Sequence, residues 1–192
     1  MEFEDVVRRR RSVREFSNKR VSWRLVLEAI DDALQGPFAG NHDNFKFLII
    51  EDSDKIKEIA ELCEQEWIAN SSILVVVGSD DVHLENVYGE RGRVYSRQQA
   101  GALIQTMLLR LTDLGLGSCW VGAYDDEKLR KKLNMAKHMQ IEAILPIGYV
   151  ALGKSKKPRK KELENAIYWE EWGQNRRPSI FEEGKLDLAE KK

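Results

Sequence analysis

LGLGSCWVGAYD, residues 114–125, is the junction where a long helix, a short strand and a second helix have to meet. On its N-terminal side, "AGALIQTMLLRLTDLG" places Leu103, Ile104, Met107, Leu108, Leu111 and Leu114 over a wide apolar arc and stops at Gly115. A helix apolar over so much of its circumference belongs in the middle of a fold. Ser96 with Gln99 has the form of a capping box and predicts the start of that helix. Within the stretch, "GSCWVG" reads as a short strand. Asp125 then predicts the N-cap of a helix running to about Leu133. Beyond it, "IEAILPIGYV", residues 141–150, is an apolar strand that Pro146 is expected to break.

Further out, Phe3, Val6 and Val7 recur at helical spacing and predict a short helix leading into "RRRRSVREF". Ser22 is a good N-cap for a helix to about Leu34, with Trp23, Val26, Leu27, Ile30 and Leu34 on its apolar face. "QGPFAGNHDN" breaks that pattern as a loop, and "FKFLIIE" follows as a buried strand. Ser53 or Asp54 predicts the cap of the next helix, whose face is Ile56, Ile59, Ala60, Cys63 and Trp67. "SILVVVGS" is a second interior strand, while residues 80–95 are polar with scattered aromatics and show no assignable period. Toward the end come the basic "KSKKPRKK", an aromatic segment "ELENAIYWEEWGQNRRPSIF" expected to dock, and final residues expected to be solvated. Without an internal repeat, a clear linker or strict β-α alternation, residues 1–192 are expected to form a single α+β domain.

Composition excludes several classes of function. At 192 residues with 42% hydrophobic content, the chain can bury one sizeable core. A net charge of -1 lacks the basic surplus of a dedicated nucleic-acid binder. No apolar run reaches the roughly 18 residues of a membrane span, and no apolar core follows the N-terminal basic residues as a secretory signal requires. Cys63 and Cys119 lie far apart without metal or redox spacing, and Cys63, on an apolar helical face, is expected to be a buried thiol of a cytoplasmic protein. The three histidines are scattered, and GxSxG, HExxH, GxxxxGK[ST] and GxGxxG are all absent. An enzyme so equipped has to take its reactivity from a cofactor.

Three polar features could hold one. Arg10, Arg11, Ser12 and Arg14 form a compact donor set matched to a phosphate; the alternative is a solvated basic turn. The loop at residues 37–44 offers Gly40, Pro37 and the amide of Asn41, or is simply a helix-to-strand connection. The small residues of "GSCWVGAYD" and "LPIGY" would let main-chain amides approach a flat ring, or allow tight packing against a helix.

In this order the features resemble the FMN-dependent nitroreductase family, over about Val6 to Trp172. "RRSVREF" is similar to its opening motif, "PFAGNHDNF" keeps part of its second block, and "LGLGSCWVGAYDDEKL" with "ILPIGY" is the closest match. "KKPRKKELENAIYWEEW" is similar to its ending. The resemblance implies a mixed central sheet flanked by helices and an intertwined homodimer with two FMN molecules in its interface. The C-terminal segment from about residue 154 would then pack on the partner subunit. Arg10, Arg11, Ser12 and Arg14 would hold the phosphate and ribityl end, joined by Arg159; Pro37, Phe38, Ala39 and Asn41 would approach the flavin from the other subunit. Gly122 and Ala123 would lie at its reactive edge. The implied activity takes hydride from NADH or NADPH at flavin N5 and passes electrons to nitroaromatics, quinones or similar small acceptors, in ping-pong fashion. Tyr88, Arg91, Arg93 and Tyr95 are substrate candidates, with dimer stabilisation as their alternative role. Two departures affect the site: Asp43-Asn44-Phe45 replaces the family's Gln-Pro-Trp, and Gln99 stands where an acid is frequent. Alternative activities are a dehalogenase, a flavin-fragmenting enzyme or a metabolite-specific dehydrogenase; a non-catalytic flavin-binding protein is a further reading. No metal, nucleic acid or membrane is expected among the partners.

Overall fold

Four strands, β1 (Phe45–Ile50), β2 (Ile73–Asp80), β3 (Gly117–Ser118) and β4 (Met139–Gly148), form one sheet in the order β1-β2-β4-β3 in the computed structural model, which describes residues 1–151 and 163–175. All three ladders are antiparallel, and the one parallel pairing among the described residues is a bridge between Ser12 and Ser118. The helices are α1 (Phe3–Arg9), α2 (Trp23–Ala33), α3 (Ser53–Leu62), α4 (Asp81–Tyr88), α5 (Glu90–Asp113) and α6 (Asp126–Lys132). The α+β class expected from the sequence is the class observed.

Period-two alternation explains why the central parts of β2 and β4, residues 73–77 and 143–147, are apolar without interruption. Ile73, Val75, Val77, Ala143, Leu145 and Ile147 join one core with α2 and α5, while Leu74, Val76, Ile141 and Ile144 join a second with α3 and α6. A strand buried on both faces has no position left for a polar side chain. Each fully buried aliphatic side chain contributes about 1.5–3 kcal/mol, so these two strands and α5 are the stable centre.

Several sequence expectations are corrected. "FKFLIIE" is an edge strand, not a buried one: alternate residues of β1 face outward and Leu48 is 40% exposed. Pro146 does not break β4, which continues to Gly148. Its carbonyl accepts from the Cys119 amide on the β3 side, and a residue's N–H and C=O point the same way, so its missing donor falls toward a two-residue edge rather than toward β2. Asp52, not Ser53 or Asp54, caps α3 by accepting from the Lys55 amide at 2.8 Å. Trp67 lies beyond that helix in a 3-10 turn, Glu66–Asn70. On α2, Val26 and Ile30 are buried as expected, but Trp23 and Leu27 remain exposed within the chain, as do Phe3 and Val7 on α1.

Ser96 and Gln99 are not a capping box. α5 starts six residues earlier, and both are buried in its interior. Gly89, at φ 58°, turns the chain between α4 and α5 in a conformation that penalises other residues. At Gly92 the helices cross so closely that a Cβ would lie 2.3 Å from the Leu84 carbonyl oxygen. Two short helical pieces joined in this way explain why residues 80–95 show no period. Residues 163–175 contain a 3-10 turn, Leu163–Ala166, and a ring contact between Tyr168 and Trp172 at 5.0 Å. Among the described residues, no helix is long and apolar enough to cross a membrane.

Candidate functional site

The arginine run divides at the end of α1. Arg8 and Arg9 occupy its last turn, where cations suit the carbonyl end of the helix, and Arg8 pairs with Glu4 at 2.5 Å. At Arg10 the backbone turns extended (φ -55°, ψ 127°) and becomes a strap along β3. The Val13 amide donates to the Ser118 carbonyl at 2.9 Å, and the Ser17 amide to the Tyr149 carbonyl at 2.8 Å. Phe16 bridges Val150. Val13 and Phe16 pack where side chains of Gly117 and Gly148 would be: a Cβ there would come within 2.9 Å and 2.7 Å of them, respectively. Those two glycines therefore serve tight packing, against the strap rather than against a helix.

Alternation along the extended strap sets Arg10, Ser12 and Arg14 on one side, with Arg11 and Val13 on the other. Ser12 and Arg14 are exposed; Arg10 and Arg11 are half-buried. Among the described residues neither Arg10 nor Arg14 has a carboxylate partner. Trp67, which sequence reasoning placed on a helix face, supports the strap: its ring lies 5.6 Å from the Arg14 guanidinium and 6.4 Å from Phe16. Arg159 lies outside the described residues.

Four residues beyond Ser118, Gly122 and Ala123 are exposed on the same sheet edge, about 13 Å along it at strand spacing. Val121 anchors them by exchanging hydrogen bonds with Ile144 at 2.9 and 3.0 Å. The Gly122 and Ala123 amides donate to no protein group among the described residues, and a Cβ on Gly122 would meet nothing within 4 Å. Gln65 holds the Ala123 carbonyl at 3.4 Å. Behind them, burial pushes the Cys63 thiol up to about 11. Burial, reinforced by Asp126, pushes the Tyr124 phenol up to about 12, and its hydroxyl donates to the Ile141 carbonyl. Both groups stay neutral near pH 7 and supply no base.

The loop is built from the other side of the molecule. Gln99 Oε1 accepts from the Ala39 amide at 2.7 Å, and its Nε2 donates to Asn44 Oδ1 at 3.2 Å and to the His42 carbonyl at 3.4 Å. Asn44 in turn donates to the Asp80 carbonyl and to Ser96 Oγ. Asp43 Oδ1 accepts from the Phe45 amide, so its carboxylate is spent on the turn. The two departures from the family pattern are thus one buried network, a role not visible in either residue alone. It holds Pro37 and Asn41 exposed, with Phe38 and Ala39 half-buried. Tyr88 and Tyr95 join this group: a Cβ on Gly40 would lie 2.4 Å from the Tyr88 hydroxyl, and the two tyrosine rings meet edge-on at 5.2 Å. Arg91 lies over Tyr95, whereas Arg93 is paired with Glu85.

Strap and loop occupy different corners. Loop residue Asn44 leads into β1 beside Ser79 and Asp80; the strap runs along β3 at the opposite edge and opposite end. α5 spaces them: Gln99 lies 14 residues before Asp113, about 21 Å of helix.

These features define a class: an α+β protein with a cationic strap whose Arg10 and Arg14 lack carboxylate partners, free main-chain amides along the same sheet edge and, among the described residues, no acid–base constellation. Residues 7–81 and 59–149 match the nitroreductase family, and the chain belongs to it. A relative from Methanothermobacter thermautotrophicus, named for NADH dehydrogenase and NAD(P)H nitroreductase, is 24% identical over 90% of this chain and 88% of its own length. An iodotyrosine deiodinase from Thermotoga neapolitana is 25% identical over 83% of this chain and 94% of its own. The solved structure of an iodotyrosine deiodinase bound to FMN and 3-iodo-L-tyrosine shares the fold, with a TM-score of 0.72 at 24% identity over 84% of this chain and 96% of its own.

Proposed function

We propose that the chain is an FMN-dependent oxidoreductase of the cytoplasm, using NADH or NADPH to reduce nitroaromatics, quinones or similar planar acceptors that enter one pocket in turn. The observation that carries the reading is the strap with its unpaired Arg10 and Arg14 and exposed Ser12, about 13 Å along one edge from the free amides of Gly122 and Ala123. That donor set fits a phosphate at one end and a planar, electron-rich edge at the other. When bound, FMN supplies the centre that accepts and donates hydride. Arg10, Arg11, Ser12 and Arg14 grip the phosphate and ribityl end, with Arg159 adding a cation. Gly122 and Ala123 orient the ring by their N–H groups. No side chain has to carry a proton, in keeping with the neutral thiol and phenol behind them.

The pocket is completed by a second copy of the chain. Strap and loop lie too far apart in one subunit for both to cover one ring, so Pro37, Phe38, Ala39 and Asn41 cover the partner's flavin. The exposed Phe3, Val7, Trp23 and Leu27 supply apolar surface for that homodimer. Residues 1–192 form one FMN-binding domain whose segment from about 154 packs on the partner. No nucleic acid is recognised, given a net charge of -1.

Anaerobic addition of NADH or NADPH should bleach the flavin absorbance, and a quinone should restore it. A flavin that stays oxidised with both donors removes the nicotinamide-driven reading. A second reading, reductive removal of a ring substituent, draws on the likeness to a deiodinase over 83% of this chain and on the Tyr88–Tyr95 pair beside the loop. Halide release from a halogenated phenol, without reduction of nitro compounds, favours it.

A further inference from the structure

A cavity of about 320 Å³ lies between the loop and α5, lined by Pro37, Phe38, Ala39, Tyr95, Gln98, Gln99 and Ala102. Its size suits a small planar molecule, and two aromatic rings and aliphatic carbon make up most of its wall. No acidic side chain lines it. On α5, Tyr95, Gln98, Gln99 and Ala102 recur at helical spacing, and one turn before Tyr95 the same stripe reaches Arg91. Its guanidinium stands 5.7 Å from the Tyr95 ring centroid, is exposed, and has no carboxylate partner among the described residues. Arg93 is on another face and is committed to Glu85. The cavity therefore has a neutral, largely apolar lining, and the Arg91 guanidinium lies against the ring of Tyr95, one of its walls.

We propose that this cavity takes planar aromatic electron acceptors bearing a carboxylate, and that Arg91 is the residue that selects the charge. The inference rests on the reductase reading above and names its substrate class. Aromatic walls stack on the ring, while the guanidinium fork meets the carboxylate at the mouth. Because Arg91 is exposed, the preference is modest and weakens with salt.

The test compares 4-nitrobenzoate with 4-nitrobenzamide, which differ in charge and little in shape. KM for the benzoate should be roughly 2–5-fold lower, as expected for one exposed charge pair. Arg91→Gln should remove the difference; Arg91→Lys should keep part of it, and Arg93→Gln all of it. Calorimetric binding of benzoate and benzamide to the oxidised protein should show the same order. Equal KM values in the wild type, or a ratio untouched by Arg91→Gln, overturns the proposal. So does a change in oligomeric state with an unchanged ratio, which assigns Arg91 to a subunit contact. A colourless protein that reduces neither compound fails the flavin reading alone, because benzoate calorimetry still reports on the cavity.

Discussion

Gly117, Gly122 and Gly148 lie in the same family motif blocks but have two different tasks, the first and last packing against the strap, and substitution separates them. At Gly148 a Cβ would lie 2.7 Å from Phe16, so Gly148→Ala has to displace a buried ring. It should cost about 1–3 kcal/mol in urea unfolding, as overpacking does. Gly122 faces open space, so Gly122→Ala should change stability by less than about 0.5 kcal/mol and act on FMN affinity instead. The sequence shows all three as small residues at strand ends and cannot separate them, because the deciding contact comes from Val13 and Phe16, a hundred positions away. The arginines separate likewise. Arg10→Ala with Arg14→Ala should lose flavin on gel filtration, each contact being worth about 1.5–3 kcal/mol. Arg8→Ala with Arg9→Ala, at the end of a helix, should retain it. Equal flavin content in both variants rejects the strap as the phosphate site.

Among the elements, local chemistry was legible wherever it was self-contained. Asp125 caps α6 as its position predicts, accepting from the Lys128 amide at 3.1 Å. That backbone hydrogen bond, then the Lys128 side chain, holds the Asp125 carboxyl below its ordinary value of 3.8. A depressed carboxyl stabilises the fold above its unfolded value, and the contribution disappears as pH falls through the folded one. The stability difference between wild type and Asp125→Asn should therefore be constant at neutral pH and vanish in acid, as read by denaturant titration across about pH 2–6. The start of α5 was illegible for the opposite reason. Ser96 and Gln99 have capping spacing but bond to Asn44 and Ala39, more than fifty residues distant, and only tertiary contact distinguishes the two uses. Asn44→Ala leaves the Gln99 amide and Ser96 hydroxyl without their partner in a buried site. It should cost about 1–3 kcal/mol and loosen the loop, seen as faster amide exchange at Ala39.

For the whole molecule, the strap and the loop lie at opposite edges of the sheet, separated by much of α5. The family order of the motifs was readable along the chain, but this separation was not, because sequence order carries no distance. It makes the homodimer a requirement of the proposed site. Mixing equal amounts of a strap-deficient chain (Arg10→Ala, Arg14→Ala) and a loop-deficient chain (Phe38→Ala, Asn41→Ala) should restore about a quarter of the flavin sites, since random exchange makes half of the dimers mixed and one of the two sites in each is intact. Sites confined to one subunit would restore none. The most direct measurement is the flavin content of the purified protein. The proposed site predicts a yellow protein that releases one FMN per chain on denaturation and takes it up again after removal. A colourless protein that FMN does not reconstitute contradicts it.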